Sequence, residues 1–265
     1  MTPASLRFAA TRELRQLRDE SRDLGFGAGL QLLAARWFGR ASLHRLVLPG
    51  LRVPVVYRRG SSDVLVLRQV LGQREYACIG SEPSVTTILD LGGNVGYAAV
   101  FLLQRYPSAR LVFVEPDAGN IAVARKNLAP FRDRVTFVQA GVWDRSEALT
   151  VERGGYRDGG EWAFQVRPTK PGEVGDLVGI TIDELLKRQG WPSVDLVKMD
   201  IEGAEAVALR GATVPAWLPL IRTLAVELHG PDCDSALTAA SVGIRHKRSL
   251  HGETTVIRRL PEARR

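Results

Sequence analysis

The sequence predicts a mostly parallel β-sheet with helices on both faces, closed at one edge by an antiparallel hairpin. Three observations carry that expectation. Ile88-Leu89-Asp90-Leu91 is an apolar strand that runs into a glycine-rich turn, Gly92-Gly93-Asn94-Val95-Gly96, and then an apolar helical run from Ala98 to Leu103. Leu111 to Glu115 is a second apolar strand ending in an acid, nineteen residues after Gly96. From there strand-like and helix-like segments alternate as far as Leu228.

Taken in order, residues Leu6 to Leu24 alternate apolar and charged positions at helical spacing, with Leu14 and Leu17 on one face. Gly25-Phe26-Gly27-Ala28-Gly29 should break that helix, and Leu30 to Phe38 should form another. Residues 1–45 thus read as an N-terminal helical extension to a domain spanning 46–265. Such an extension ordinarily packs against its domain, although its arginines also permit contact with a membrane surface. Val53 to Tyr57 reads as a strand, followed by the turn Arg58 to Asp63, an apolar segment Val64 to Leu71, and Arg74-Glu75-Tyr76.

After Glu115, the expected elements are a helix over Ala118 to Leu128 and a strand over Val135 to Gln139. Residues 145–179, rich in Gly, Arg and Pro, read as an insertion of short antiparallel strands that serves the substrate. Thr181 is placed to cap the next helix. Strands follow at Val194 to Met199 and Thr223 to Leu228, with a helix from Glu202 to Leu209 between them. A helix at Ser235 to Ser241 and a hairpin, Ile244 to Ser249 with Thr254 to Arg258, close the chain.

Composition narrows the function classes. The 265 residues carry a formal charge of +7, but only five of the 36 basic residues are lysines, and the arginines are scattered. No lysine-rich block or RNA-binding motif appears, so nucleic acid is not an expected partner. Cys78 and Cys233 are too few for a disulfide framework, which suggests a reducing cytoplasm. No apolar run is long enough to span a membrane, and the arginine-rich N-terminus lacks a cleavage site.

Ligands of such sheets bind beyond the carboxyl ends of the strands. The glycines allow the backbone a tight turn and a close approach to a ligand. Their D-x-G-x-x-x-G pattern departs from the strict dinucleotide spacing. Asp90 at the mouth of the turn would repel a pyrophosphate and suits a cationic ligand, such as the amino group of S-adenosylmethionine. Glu115 can accept both hydroxyls of an adenosine ribose. This charge argument favours methyl transfer over an NAD-linked dehydrogenase.

The other strand ends offer Gln139-Ala140, Asp200 with Glu202 and Glu205, and Glu227-Leu228-His229. Glu202 and Glu205 fall where a first helical turn favours acids. Lys198 shares a strand face with Asp200, and Glu202 or Glu227 is its expected ion-pair partner. Asp200, Glu227 and His229 are read as the acceptor side, with His229 the leading proton acceptor because imidazole titrates near neutrality. A divalent metal on Asp200 and Glu227 is the competing arrangement, and no metal is assigned.

These residues resemble the FkbM family of methyltransferases. Ile88 to Tyr97 is similar to that family's Asp-Val-Gly-Ala-Asn-Ile-Gly-Tyr segment, with Gly93 in place of alanine. Glu115-Pro116 matches its Glu-Pro pair, and Val194 to Glu205 matches its Asp-Ile-Glu-Gly-Ala-Glu signature. Gly60-Ser61-Ser62-Asp63 and Glu75-Tyr76 are similar to its Gly-Thr-Ser-Asp and Glu-Tyr elements.

The resemblance covers roughly residues 50 to 230. It implies a class I, Rossmann-like methyltransferase fold, S-adenosylmethionine as donor and most often an oxygen acceptor. It places Asp63 and Tyr76 on a segment folding over the cofactor. The cofactor set is then Asp63, Tyr76, Asp90, Gly92, Gly93, Asn94, Gly96, Glu115, Pro116, Gln139 and Ala140. A hydroxyl of a sugar or natural product is the leading acceptor. N- or carboxyl-methylation and a catalytically inactive cofactor-binding protein are the alternatives, and homo-oligomerisation is left open.

Overall fold

A computed structural model describes residues 3–80, 84–152 and 165–261. The chain forms two compact units, residues 1–74 and 75–265. The boundary expected at residue 45 falls within a strand of the first.

The first unit begins with helices α1 (Pro3–Leu24) and α2 (Phe26–Phe38). Gly25 alone separates them, at φ 93, so Gly27 and Gly29 lie inside α2 rather than in the expected five-residue break. Gly29 is there for closeness: a β-carbon on it would sit 2.2 Å from Ser21 Oγ on α1. Leu14 is exposed, contrary to the expected apolar face. The polar side chain Glu20 is buried instead, because Arg36 Nη1 donates to both its oxygens at 2.8 and 2.9 Å. Strand β1 (Leu43–Leu46), too short and too mixed in polarity to stand out in the sequence, pairs antiparallel with β2 (Val55–Arg58). Helix α3 (Asp63–Leu67) runs on into a π turn at Arg68–Gly72.

The second unit opens on a 3₁₀ turn, Glu75–Ile79, and then alternates. Strand β3 (Thr87–Leu91) leads to α4 (Tyr97–Arg105), β4 (Arg110–Glu115), α5 (Ala118–Asn127) and β5 (Val135–Gln139). A small four-stranded sheet follows, from β6 (Gly141–Val142), β7 (Ala148–Glu152), β8 (Gln165–Pro168) and β9 (Leu177–Ile180), in the order β6-β9-β7-β8. Strands β7 and β8 fall in the expected insertion, 145–179, and pair antiparallel, while β6 lies ahead of it and pairs parallel with β9; residues 153–164 lie outside the described ones. The chain then returns through α6 (Ile182–Gln189), β10 (Val194–Met199), α7 (Glu205–Arg210), α8 (Val214–Trp217), β11 (Ile221–Glu227) and α9 (Pro231–Ala240). It ends in the hairpin β12 (His246–His251) and β13 (Thr254–Arg259). Thr181 does cap α6, accepting from the Glu184 amide at 3.1 Å.

The main sheet has the order β12-β13-β11-β10-β3-β4-β5, parallel from β11 to β5, with β13 and β12 antiparallel at one edge. Apart from Asp90 and Lys198 near their carboxyl ends, its central strands β3 and β10 bury mainly apolar side chains, which removes the alternation an open sheet would show. From β3 the chain first builds outward through β4 and β5, then reverses to place β10 and β11 on the other side. That reversal leaves a crevice beyond the carboxyl ends of β3 and β10, where ligands of open α/β sheets bind.

Candidate active site

The turn after β3 and the turn after β10 meet at this crevice. The Asp200 amide donates to Leu91 O at 3.0 Å. Gly92 adopts φ 76, and a β-carbon there would lie 1.7 Å from the Asp200 carbonyl oxygen. Gly92→Ala must therefore spread the two turns as well as strain the backbone. We expect at least about 1–2 kcal/mol of lost stability from the left-handed φ alone. Thermal unfolding of the variant checks this. Gly93, where the family pattern has alanine, faces the Phe113 ring, which a β-carbon would meet at 2.2 Å. The large aromatic on β4 occupies the room a methyl would need. Gly96 takes φ 89, and Asn94 sits at φ 51, a left-handed conformation that Asn tolerates.

Glu115 ends β4 and is buried. Its carboxylate accepts from the Asn94 amide (2.8 Å), the Asp117 amide (3.1 Å) and Asn120 Nδ2 (3.1 Å). Burial pushes this acid up to about 7 against the opposing pull of those donors. The glycine turn and the acid are thus one hydrogen-bonded unit. Gln139 lies beside Glu115 in register and points its amide at Pro116 O, and Ala140 is buried next to it.

Beneath the turn, Lys198 is 3% exposed. Its ammonium donates to Gly92 O at 2.6 Å and stands 3.4 Å from Asp90 Oδ1 and 3.7 Å from Asp200 Oδ2. The expected partners Glu202 and Glu227 are replaced by these two, because parallel pairing sets Lys198 directly opposite Asp90. Asp90 is accordingly fully buried under the turn rather than at its mouth, and its cationic partner within the protein is Lys198. Neither Asp90 oxygen has a hydrogen-bond donor at normal range. Burial raises Asp90, with Lys198 pulling the other way; burial lowers Lys198, but Asp90 and Asp200 outweigh it and the net shift is upward. The Tyr76 ring centroid lies 5.9 Å from the same ammonium, which makes the buried Tyr76 part of its packing. Asp63, in the first unit, accepts from the Arg58 amide at 2.7 Å and pairs with its guanidinium at 2.7 Å.

Asp200, Glu227 and His229 do come together. His229 Nδ1 lies 3.1 Å from Glu205 Oε1, and Nε2 is 3.4 Å from Glu227, 3.5 Å from Glu202 and 3.9 Å from Asp200. Burial pulls the imidazole down, but hydrogen bonds to Glu205 and Glu227 and the charges of Glu205 and Asp200 overcome it and lift it to about 11. The near-neutral base expected at His229 thus meets carboxylates at both ring nitrogens, which favour its protonated form. Burial lifts Asp200 to about 6, with Lys198 opposing and Glu227 adding to the rise. Asp200 is also the most exposed acid of the group, at 26%.

Glu205 does more than favour a helix N-terminus. It lies at the start of α7, but its carboxylate turns back to accept from Ile201 N (2.8 Å) and Gly203 N (3.0 Å), so it ties the whole turn together. Glu202 lies before the helix at φ 53, not in its first turn, so the helix dipole does not explain it. Gln165 of β8 donates to Glu202 O at 2.8 Å, which brings the inserted sheet against the same turn. Ligand atoms of Asp200, Glu205 and His229 lie within 4.8 Å of one another. Both ring nitrogens of His229 face carboxylates, an arrangement that suits an imidazolium rather than a neutral metal ligand, so the set fits a metal poorly.

A family model described as Methyltransferase FkbM domain matches residues 90–241, more than half the chain, from Asp90 through Glu115 and Asp200 to His229. The chain belongs to the FkbM methyltransferase domain family. This FkbM domain is 28% identical to the 2-O-methyltransferase NoeI of Sinorhizobium fredii (strain NBRC 101917 / NGR234), with 58% of this chain covered. The match spans 65% of the length of NoeI. The FkbM domain is also 26% identical to the methyltransferase sdnD of Sordaria araneosa, over 58% of this chain and 70% of that protein. Among solved structures it is similar to M. capricolum TrmK in complex with S-adenosyl-homocysteine, at 12% identity and a TM-score of 0.41, covering 71% of this chain and 67% of that one. No helix of the described residues is long and apolar enough to cross a membrane.

Proposed function

We propose that the chain transfers a methyl group from S-adenosylmethionine to a hydroxyl of a sugar or another small natural product. The observation that carries this reading is the meeting, at one topological switch, of a glycine turn locked to Glu115 and a set of acids after β10 and β11. Family membership and the 2-O-methyltransferase name of one relative support it.

The residues fit the donor. Glu115, Pro116, Gln139 and Ala140 border the ribose and adenine side, and the open backbone of Gly92 to Gly96 leaves room that side chains would fill. The acids around the turn, Asp90, Asp200, Glu202, Glu205 and Glu227, outnumber the cations Lys198 and His229, so the crevice favours the cofactor's ammonium and sulfonium. When bound, S-adenosylmethionine supplies an electrophilic methyl group. Asp63 and Tyr76 serve as supports for their own segments, since both are buried.

On the acceptor side, a hydroxyl needs to lose its proton as the methyl arrives. Asp200 is the group to take it, being ionised near neutrality and the acid most open to the crevice. Protonated His229 holds Glu227 and Asp200 in place and offsets their mutual repulsion. The inserted sheet, packed on the Glu202 turn, is the element to choose the acceptor.

Titration calorimetry with S-adenosylmethionine, S-adenosylhomocysteine and NAD tests the donor. We expect binding of the first two only. Glu115→Ala should weaken that binding by about 1–3 kcal/mol, since it removes a partner of two buried hydroxyls. Equal affinity in the variant would place the ribose elsewhere. Binding without transfer to any hydroxyl, amine or carboxyl acceptor would leave a cofactor-binding protein.

A further inference from the structure

We propose that the outer face of α2 is a docking surface for an anionic lipid bilayer. Phe26, Leu30 and Trp37 fall at positions i, i+4 and i+11 of this helix, on one side, and Phe38 adjoins Trp37. All four are exposed, Trp37 at 67% and Phe38 at 83%. The opposite side of α2 carries its buried residues Ala28, Gly29 and Leu32. A helix apolar all round is normally buried; here half of it faces out. Gln31, on the exposed side, exchanges hydrogen bonds with Val47 N and O at 3.3 and 3.5 Å, so the exposed Val47 extends the same patch. A contiguous apolar area of this kind marks an interaction site.

Charge selects the occupant. From Leu24 through Ser62 the chain holds 39 residues without one Asp or Glu, and six arginines. Arg40, two residues past Phe38, and Arg45, two residues before Val47 on β1, are both exposed. Exposed aromatic side chains in a stretch that carries arginines and no acid of its own match a headgroup layer of negative charge. A second copy of the chain fits less well. A twofold interface repeats the same patch on both sides, so arginine would face arginine with no acid from this segment between them. Resting on the methyl-transfer reading, its role would be to hold the protein where a lipid-linked or membrane-associated acceptor is found.

The test is sedimentation of the full chain with phosphatidylcholine vesicles, with and without phosphatidylglycerol. Binding to the anionic vesicles, weakened by salt, is expected, with a blue shift of Trp emission that Trp37→Phe removes. Trp37→Asp with Phe38→Asp should lower partitioning about tenfold or more, and Arg40→Glu with Arg45→Glu should do so only for the anionic vesicles. All four side chains are solvent-facing, so unchanged circular dichroism melting confirms that the variants fold. Three results would each overturn the proposal: no sedimentation with either vesicle, partitioning unchanged by the variants, or a dimer without vesicle binding that Trp37→Asp converts to monomer.

Discussion

Lys198→Met is expected to cost roughly 3–5 kcal/mol of folding stability, the range for removing one member of a buried ion pair. Lys198 is the cation nearest to the fully buried Asp90, and Asp200 leans on it too. It also holds the Gly92 carbonyl, so the glycine turn should loosen with it. Methionine keeps much of the side-chain volume, which confines the loss to charge and hydrogen bonding. Denaturant unfolding at pH 8 and at pH 5 reads the effect. Without the ammonium, burial alone acts on Asp90 and raises it further. A carboxyl whose folded pKa is raised binds more protons folded than unfolded, so its contribution is lost as pH rises through that range. The deficit should thus be smaller at pH 5 than at pH 8. A loss under about 1 kcal/mol, or one independent of pH, would mean that Asp90 is neutral in the native protein.

Asp200→Asn is expected to lower kcat roughly 10²-fold or more. A base must be ionised, and Asp200 is lifted to about 6, so the native rate should climb as pH rises through 6 and then level off. The variant should lose that climb along with the rate. His229→Ala should keep more turnover than Asp200→Asn, because an imidazolium cannot take the acceptor's proton. EDTA should leave the native rate unchanged. Loss of activity in EDTA with His229→Ala fully active would instead make a metal the activating group. A rate that falls as steeply in His229→Ala as in Asp200→Asn would return the proton to the histidine. Normal rates under all three treatments would leave positioning as the source of catalysis.

Much of this was legible in the residues. The alternation of apolar runs and helices marks a parallel sheet because buried strands cannot show a polar face. Three glycines after an apolar strand mark the ligand turn, since only glycine tolerates φ 76 against the Asp200 carbonyl. Glu115 and the Asp200 to Glu205 segment stood at strand ends, where chemistry collects.

What the order of residues could not disclose is which charges meet. Lys198 and Asp90 are far apart in sequence and become neighbours only because β10 inserts beside β3. The same closure sets His229 among four carboxylates and shifts its proton affinity upward from near neutrality. A proton affinity depends on the charges within a few ångströms and on the water excluded around them. Residue identity sets the starting value, and for His229 and Asp200 the packing of strands decides where it ends.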